Sequence, residues 1–262
     1  MASVHDGHRE RLRARYAKNG LSGFTDHELL ELLLTYAIPR RNTNEPAHLL
    51  LDRFGSINGV LHADMLQLMS IDGIGENAAI FLRLISDLQK RIALQKLEDP
   101  QGRIRLKTPY DVAKYGFALM ASEPYEVVRL VCLNKSKYII SSDEMSAGSL
   151  TEARIYQRVL VENALLHRAH TVILLHNHPS GNPTPSQADD ETTAAVKAAF
   201  ESVGIPMIDH IIVGFDSAYC YSAQMALVRK GDQVNSMSIE EYKNHYLDIT
   251  EGIAVKLGEY MG

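Results

Sequence analysis

Along the first third of the chain, apolar positions return every three or four residues. Leu29, Leu32, Leu33 and Tyr36 form one such series, and Ala47, Leu50, Leu51 and Phe54 form another. This is the spacing of helices that bury a single stripe. Thr25 stands three residues ahead of Glu28, the arrangement of a capping box at a helix start. Gly55 follows Phe54 where a helix stop is expected. Residues 8 to about 94 therefore read as all-helical. Residues 96–109 are polar and broken by Pro100 and Gly102, which predicts a linker. Beyond Tyr110 the pattern alternates. Helices are predicted over 111–121, 151–167 and 187–203, and strands over 127–133, 138–141, 171–176 and 207–214. Such alternation defines an α/β domain with a mixed sheet. Residues from 232 onward carry no clear stripe and read as a short helical appendage. The organisation expected is a small all-α domain over 1–95, a linker over 96–109, an α/β domain over 110–231 and an appendage over 232–262.

Composition narrows the class. At 262 residues the chain is long enough for two modest domains, and its 45% hydrophobic and 23% charged content is that of an ordinary globular protein. No apolar run reaches the length of about 18 residues that a membrane span needs, so no membrane partner is expected. The greasiest stretch, Leu29 to Ile38, is interrupted by Glu31. The net charge of −5 argues against a surface that binds polyanions throughout. Residues 1–95 hold 11 Lys and Arg against 11 Asp and Glu. One basic stretch, Arg9, Arg11, Arg13, Arg15 and Lys18, reads as a solvated helix face. The N-terminus has no apolar signal-peptide core, and Cys132 and Cys220 lie too far apart for a metal-ligand pair. A reducing cytoplasm is the expected location.

The chemistry concentrates in the segment from Leu174 to Asp189, Leu-Leu-His-Asn-His-Pro-Ser-Gly-Asn-Pro-Thr-Pro-Ser-Gln-Ala-Asp. His176 and His178 are separated by one residue at a strand end, so both imidazoles project to the same side. Pro179 turns the chain away from the sheet, and a loop rich in Gly and Pro carries it to Ser186, where a helix begins. Asp189 in the first helical turn is placed to supply a carboxylate oxygen. Two His and one carboxylate form a catalytic zinc set with a fourth position open for water. Ser186-x-x-Asp189 taken alone reads as a helix capping box, and only the joint pattern with the two histidines points to a metal.

These residues carry a resemblance. His176-x-His178-Pro179 followed by Ser186-x-x-Asp189 resembles the motif of the JAMM/MPN metalloproteases. The longer string, with Asp209-His-Ile-Ile-Val-Gly214 downstream, is similar to the bacterial RadC family over about residues 8–230. The resemblance implies an MPN-type fold with one zinc ion per chain, held by His176, His178 and Asp189. It also implies a glutamate acting through the metal's water, for which Glu126 is preferred over Glu123 because it abuts the apolar strand. Ser186 matches the family serine that donates to the developing oxyanion. His210 reads as a satisfied interior histidine, and His167 and His170 as surface residues.

In the front domain, Leu66 to Ala79 resembles a helix-hairpin-helix element. Its Gly73-Ile74-Gly75 turn would offer backbone N–H groups to a phosphate. The next positions hold Glu76, Asn77, Ala78 and Ala79 rather than lysine or arginine, and a glutamate there repels DNA. DNA contact and a packing or protein-docking role both stay open. Three functions follow. The leading one is a zinc metallopeptidase or isopeptidase acting on a protein or peptide. The second is a metal-dependent nuclease or DNA-repair factor, although phosphodiester sites more often use two metals. The third is a non-catalytic MPN scaffold, which the retention of the whole residue set opposes. The tail tyrosines Tyr242, Tyr246 and Tyr260 are candidates for covering the cleft or for a homodimer contact.

Overall fold

The computed structural model describes residues 4–121, 123, 125–146 and 153–244. It divides into two compact units, 1–92 and 93–262. The first unit is helical: α1 (Val4–Asn19), α2 (Asp26–Ala37), α3 (Asn44–Phe54), α4 (Ile57–His62), α5 (Met65–Met69) and most of α6 (Glu76–Gln95). The predicted capping box opens α2, with Thr25 Oγ1 accepting from the Glu28 N–H and the Glu28 carboxylate accepting from the Thr25 N–H. Gly55 ends α3 in the left-handed region at φ 76°, which glycine adopts without a Cβ penalty. The apolar stripes converge on Leu30, Leu34, Leu50, Val60, Leu68 and Leu82, all fully buried. Each such burial contributes about 1.5–3 kcal/mol before entropy is charged.

The basic stretch departs from its expected solvated state only in part: Arg11, Arg13 and Lys18 are exposed, as expected. Arg9 is buried, and its guanidinium donates to the carbonyl oxygens of Pro39 and Arg41. Arg13 donates to the Thr35 carbonyl, and Arg15 pairs with Glu28 at 2.6 Å. These arginines fasten α1 to α2 and to the loop after it, because that loop leaves carbonyls without helical partners.

The second unit is built on a seven-stranded sheet in the order β2-β1-β3-β4-β5-β6-β7. Its strands are β1 (Val128–Leu133), β2 (Ile139–Ser146), β3 (Thr171–Asn177), β4 (Met207–Val213), β5 (Ser217–Cys220), β6 (Met225–Lys230) and β7 (Gln233–Met237). Only β3 and β4 pair in parallel, joined through α9 (Gln187–Ser202); every other neighbour is antiparallel, so the sheet is mixed as expected. Alternation along the strands creates two cores. Val131, Leu133, Ile173, Leu175, Ile211 and Val213 pack with α7 (Pro109–Met120). Val128, Leu130, Cys132, Val172 and Leu174 pack with α8 (Ala153–Leu166) and α9.

Two parts of the expected organisation change. Residues 96–109 do not form a free linker. Glu98 bridges to Ile104, Arg105 bridges to Tyr138, and Leu106 is buried in the sheet core. The Asp99 carboxylate holds the intervening turn by accepting from the Gln101 and Arg103 N–H groups. Nor does the chain turn helical at 232: β7 extends the sheet over Gln233–Met237 before a helical turn over 239–244. Tyr242 on that turn is buried against Ala226 and Val228, with its hydroxyl 2.9 Å from Ser217 Oγ, so it braces the sheet. Tyr246 and Tyr260 lie outside the described residues.

Both cysteines are buried and unpaired with each other. Burial pushes the Cys220 thiol up to about 11, with the Asp209 carboxylate that accepts its proton at 3.0 Å adding to the shift. The thiolate is the reactive form, so folded protein at pH 8 is expected to resist iodoacetamide while denatured protein takes two labels. Rapid alkylation of native Cys220, read by mass spectrometry, would contradict this placement.

Candidate metal centre

The site forms where β3 ends and α9 begins. His176 is the penultimate residue of β3 and His178 lies just past its end, where the His178 N–H still donates to the Val213 carbonyl of β4. Pro179 then turns the chain, as expected. The loop returns at Ser186, the N-cap of α9, which puts Asp189 in the first helical turn. One ligand atom from each of His176, His178 and Asp189 lies within 4.8 Å of the others. His176 Nε2 is 3.0 Å from His178 Nε2 and 3.1 Å from Asp189 Oδ1, and His178 Nε2 is 3.6 Å from Asp189 Oδ2. Donors about 2.0–2.1 Å from a tetrahedral zinc stand about 3.3 Å apart. The three side chains therefore fit such an ion as they stand.

Hydrogen bonding sets which ring nitrogens carry protons. His178 Nδ1 faces the Asn182 carbonyl at 2.8 Å, and a carbonyl can only accept. Nδ1 therefore holds the proton, and Nε2 turns a lone pair toward Asp189. His210 is fully buried, and burial, reinforced by the neighbouring His176, pushes its pKa well below the usual value, leaving it neutral. Two imidazole nitrogens and a carboxylate face one another without enough protons to reconcile them, which is an arrangement that favours a cation. The site adjusts in the same direction. Burial works to raise the Asp189 carboxyl, but the facing His176 and His178 rings and the hydrogen bonds from Ser186 prevail and hold it far below the usual carboxylate range. For His178, burial works downward but the neighbouring Asp189 carboxylate and the Asn182 carbonyl prevail, with Glu126 adding its charge, and the pKa is raised. His176 and Asp189 are buried, whereas the His178 side chain keeps 18% of its surface, so solvent reaches the site from that side.

Glu126 is exposed, two residues ahead of the first residue of β1. Val128 pairs with His176 across the antiparallel β1–β3 ladder, so continuing the register sets Glu126 opposite His178 on the same face. Asn177, the residue between the two histidines, was given no role by sequence reasoning. Its buried side chain accepts from the Val127 N–H at 2.8 Å and donates to the Tyr125 carbonyl at 2.9 Å and the Glu123 carbonyl at 3.3 Å, clamping the segment that carries Glu126. Strand alternation, which aims the histidines one way, aims Asn177 the other, and that was the available signal. Ser186 forms the full capping box with Asp189: its hydroxyl donates to Asp189 Oδ2 at 2.6 Å and its N–H to the same oxygen at 2.7 Å. The capping and ligand readings of Ser186-x-x-Asp189 thus coincide in one carboxylate. His210 is an interior histidine, but it is more than that, since its Nε2 lies 2.8 Å from His176 Nδ1.

The loop is wedged against the turn after β4. A Cβ on Gly214 would stand 2.1 Å from the Gly181 carbonyl oxygen, and one on Gly181, at φ +82°, 2.3 Å from the Phe215 ring. Gly214→Ala is expected to cost about 2–4 kcal/mol and to shift the loop that orients His178. An unchanged Tm and unchanged metal affinity would rule this out.

In the first unit, Gly73, Ile74 and Gly75 form the turn between α5 and α6, with Gly73 at φ 83° and Ile74 buried. A cleft of about 460 Å³ lies beside it, lined by Arg40, Arg41, Gly73, Gly75, Glu76 and Asn77 among others. The arginines come from the segment between α2 and α3, so the local sequence after Gly75 understated the positive charge beside this turn.

A mixed sheet flanked by helices, with a His-x-His pair and an Asp converging at the end of a central strand, defines the class as a JAB/MPN-type domain. Residues 106–227 match the profile of the RadC-like JAB domain and residues 6–80 that of the UPF0758 N-terminal domain. The chain is 34% identical over 221 residues to a UPF0758 protein of Fusobacterium nucleatum, covering 83% of this chain and 95% of that protein. It is 35% identical over 215 residues to one of Ruegeria pomeroyi, covering 82% and 94%. The chain belongs to the UPF0758 family, with a RadC-like JAB domain as its second part.

Proposed function

We propose that the protein is a zinc-dependent hydrolase that cleaves an amide bond in a protein or peptide, with one zinc ion per chain held by His176, His178 and Asp189. The observation that carries this reading is the convergence of two imidazole nitrogens and a carboxylate at about zinc-ligand spacing beside solvent. Zinc bound there supplies a Lewis acid that brings the pKa of water to about 7. Glu126, placed opposite His178, accepts the proton of the attacking water and returns it to the leaving amine. Ser186 serves the developing oxyanion by turning its hydroxyl from Asp189 Oδ2 toward the substrate, while its N–H keeps hold of the carboxylate. His176 and Asp189 stay fixed by burial, so the substrate enters from the His178 side.

A second reading has an observation behind it. Arg40 and Arg41 line the cleft beside the Gly73-Ile74-Gly75 turn, an arrangement that suits a nucleic-acid phosphate and a substrate bound to DNA. One assay separates the two: zinc-loaded protein is offered a labelled peptide pool and labelled single- and double-stranded DNA, beside a metal-ligand variant. Peptide cleavage that disappears in the variant supports the proposal. DNA cleavage that disappears in it would replace the proposal with a nuclease.

A further inference from the structure

His176 reaches the site through a relay of hydrogen bonds whose directions can be worked out one by one. Thr193, one turn after Asp189 on α9, gives its single hydroxyl proton to the Asp189 carbonyl at 2.6 Å. Its oxygen must therefore accept from His210 Nδ1, also at 2.6 Å. With that proton on Nδ1, His210 Nε2 presents a lone pair to His176 Nδ1 at 2.8 Å. His176 Nδ1 then carries the proton, and its Nε2 lone pair is left for the metal position. His210 itself is held on several sides. The Tyr221 ring stacks on it at 4.9 Å with an interplanar angle of 3°, and the Tyr221 hydroxyl donates to Asp190 on α9 at 2.8 Å. The buried Asp209 carboxylate accepts from the His210 N–H at 2.8 Å and the Ser222 N–H at 3.0 Å, tying the strand that carries His210 to the turn that carries Tyr221.

We infer that His210, oriented by Thr193 and stacked by Tyr221, is a positioning residue that fixes the tautomer and ring plane of His176 for metal binding. The inference rests on the metal reading above and adds to it a role for three residues that touch neither metal nor substrate. The relay begins and ends on the ligand set, since Thr193 bonds the backbone of Asp189 while His210 bonds His176. Two of the three ligands are thereby oriented through one hydroxyl. Partners of this kind, behind metal-binding histidines, typically contribute 10–100-fold in affinity.

The test is a Co²⁺ titration of the full chain, read by visible absorption and by competition with a chelator, with the Tm of each metal-free protein recorded. Thr193→Val keeps the shape but removes the acceptor, and is expected to bind Co²⁺ about 10–100-fold more weakly with altered band intensities. Thr193→Ser restores the acceptor and is expected to bind within about threefold of wild type. His210→Leu is expected to match or exceed the valine variant's loss. Wild-type affinity in both Thr193→Val and His210→Leu, while His178→Ala loses binding, would overturn the inference and leave the metal reading standing. Wild-type protein that takes up no cobalt would sink the metal reading and the inference with it.

Discussion

His178→Ala is expected to weaken zinc binding by on the order of 10²–10³-fold, the share of one ligand in a site whose whole affinity is about 10–16 kcal/mol. Of the three candidate ligands, His178 is the most informative to remove. It lies just beyond β3 and keeps part of its surface in solvent, so its loss leaves no large buried cavity. His176 and Asp189 are buried, and their removal confounds binding with folding. The hydrogen bond from His178 Nδ1 to the Asn182 carbonyl also disappears, but that contact joins neighbours within one loop and carries little of the fold. Competition against a chromophoric chelator measures the effect. An affinity within threefold of wild type would mean that the ion, if any, sits elsewhere.

The second large effect falls on turnover rather than binding. Glu126→Gln preserves size and polarity at an exposed position, so the metal-free fold and zinc affinity are expected to hold. Removal of a general base typically costs 10²–10⁴-fold in rate, and kcat on a cleavable peptide is expected to fall by about that much. Glu123→Gln is the matched control. Glu123 lies earlier in the segment that Asn177 holds through backbone carbonyls, outside the continuing β1 register. A loss in Glu123→Gln with none in Glu126→Gln would transfer the role to Glu123. Asn177→Ala should weaken the same step indirectly, since it releases the segment bearing Glu126.

What the sequence disclosed and what it hid follow from the range of the interactions involved. The cluster of His176, His178 and Asp189 was legible because its logic is local: alternation along a strand aims His176 and His178 together, and a helix start fixes Asp189. The helices of the first unit were legible for the same reason, through periodicity, the Thr25 cap and Gly55. The relay through Thr193, His210 and Tyr221 was not, because it joins α9, β4 and the turn after β5 across the fold, and no local spacing encodes it. The last three strands escaped for another reason. β5 has four residues, and β7, Gln-Val-Asn-Ser-Met, is an edge strand with mostly exposed side chains. Such a strand shows little of the two-residue alternation that marks a half-buried one. Residues 96–109 misled through composition, since their turn residues surround Ile104 and Leu106, which join the core. The buried Arg9 shows the same limit: a row of arginines at alternating positions does not reveal which of them finds carbonyls.

Among the described residues, no helix is long and apolar enough to cross a membrane. X-ray absorption at the zinc edge of stoichiometrically loaded protein examines the proposed donor set most directly. The expected spectrum shows four nitrogen or oxygen scatterers at about 2.0–2.1 Å, two of them with the outer-shell signature of imidazole, and that signature is reduced to one in His178→Ala. A sulfur scatterer at about 2.3 Å, or a spectrum unchanged by the His178 substitution, would show that these three residues do not hold the metal.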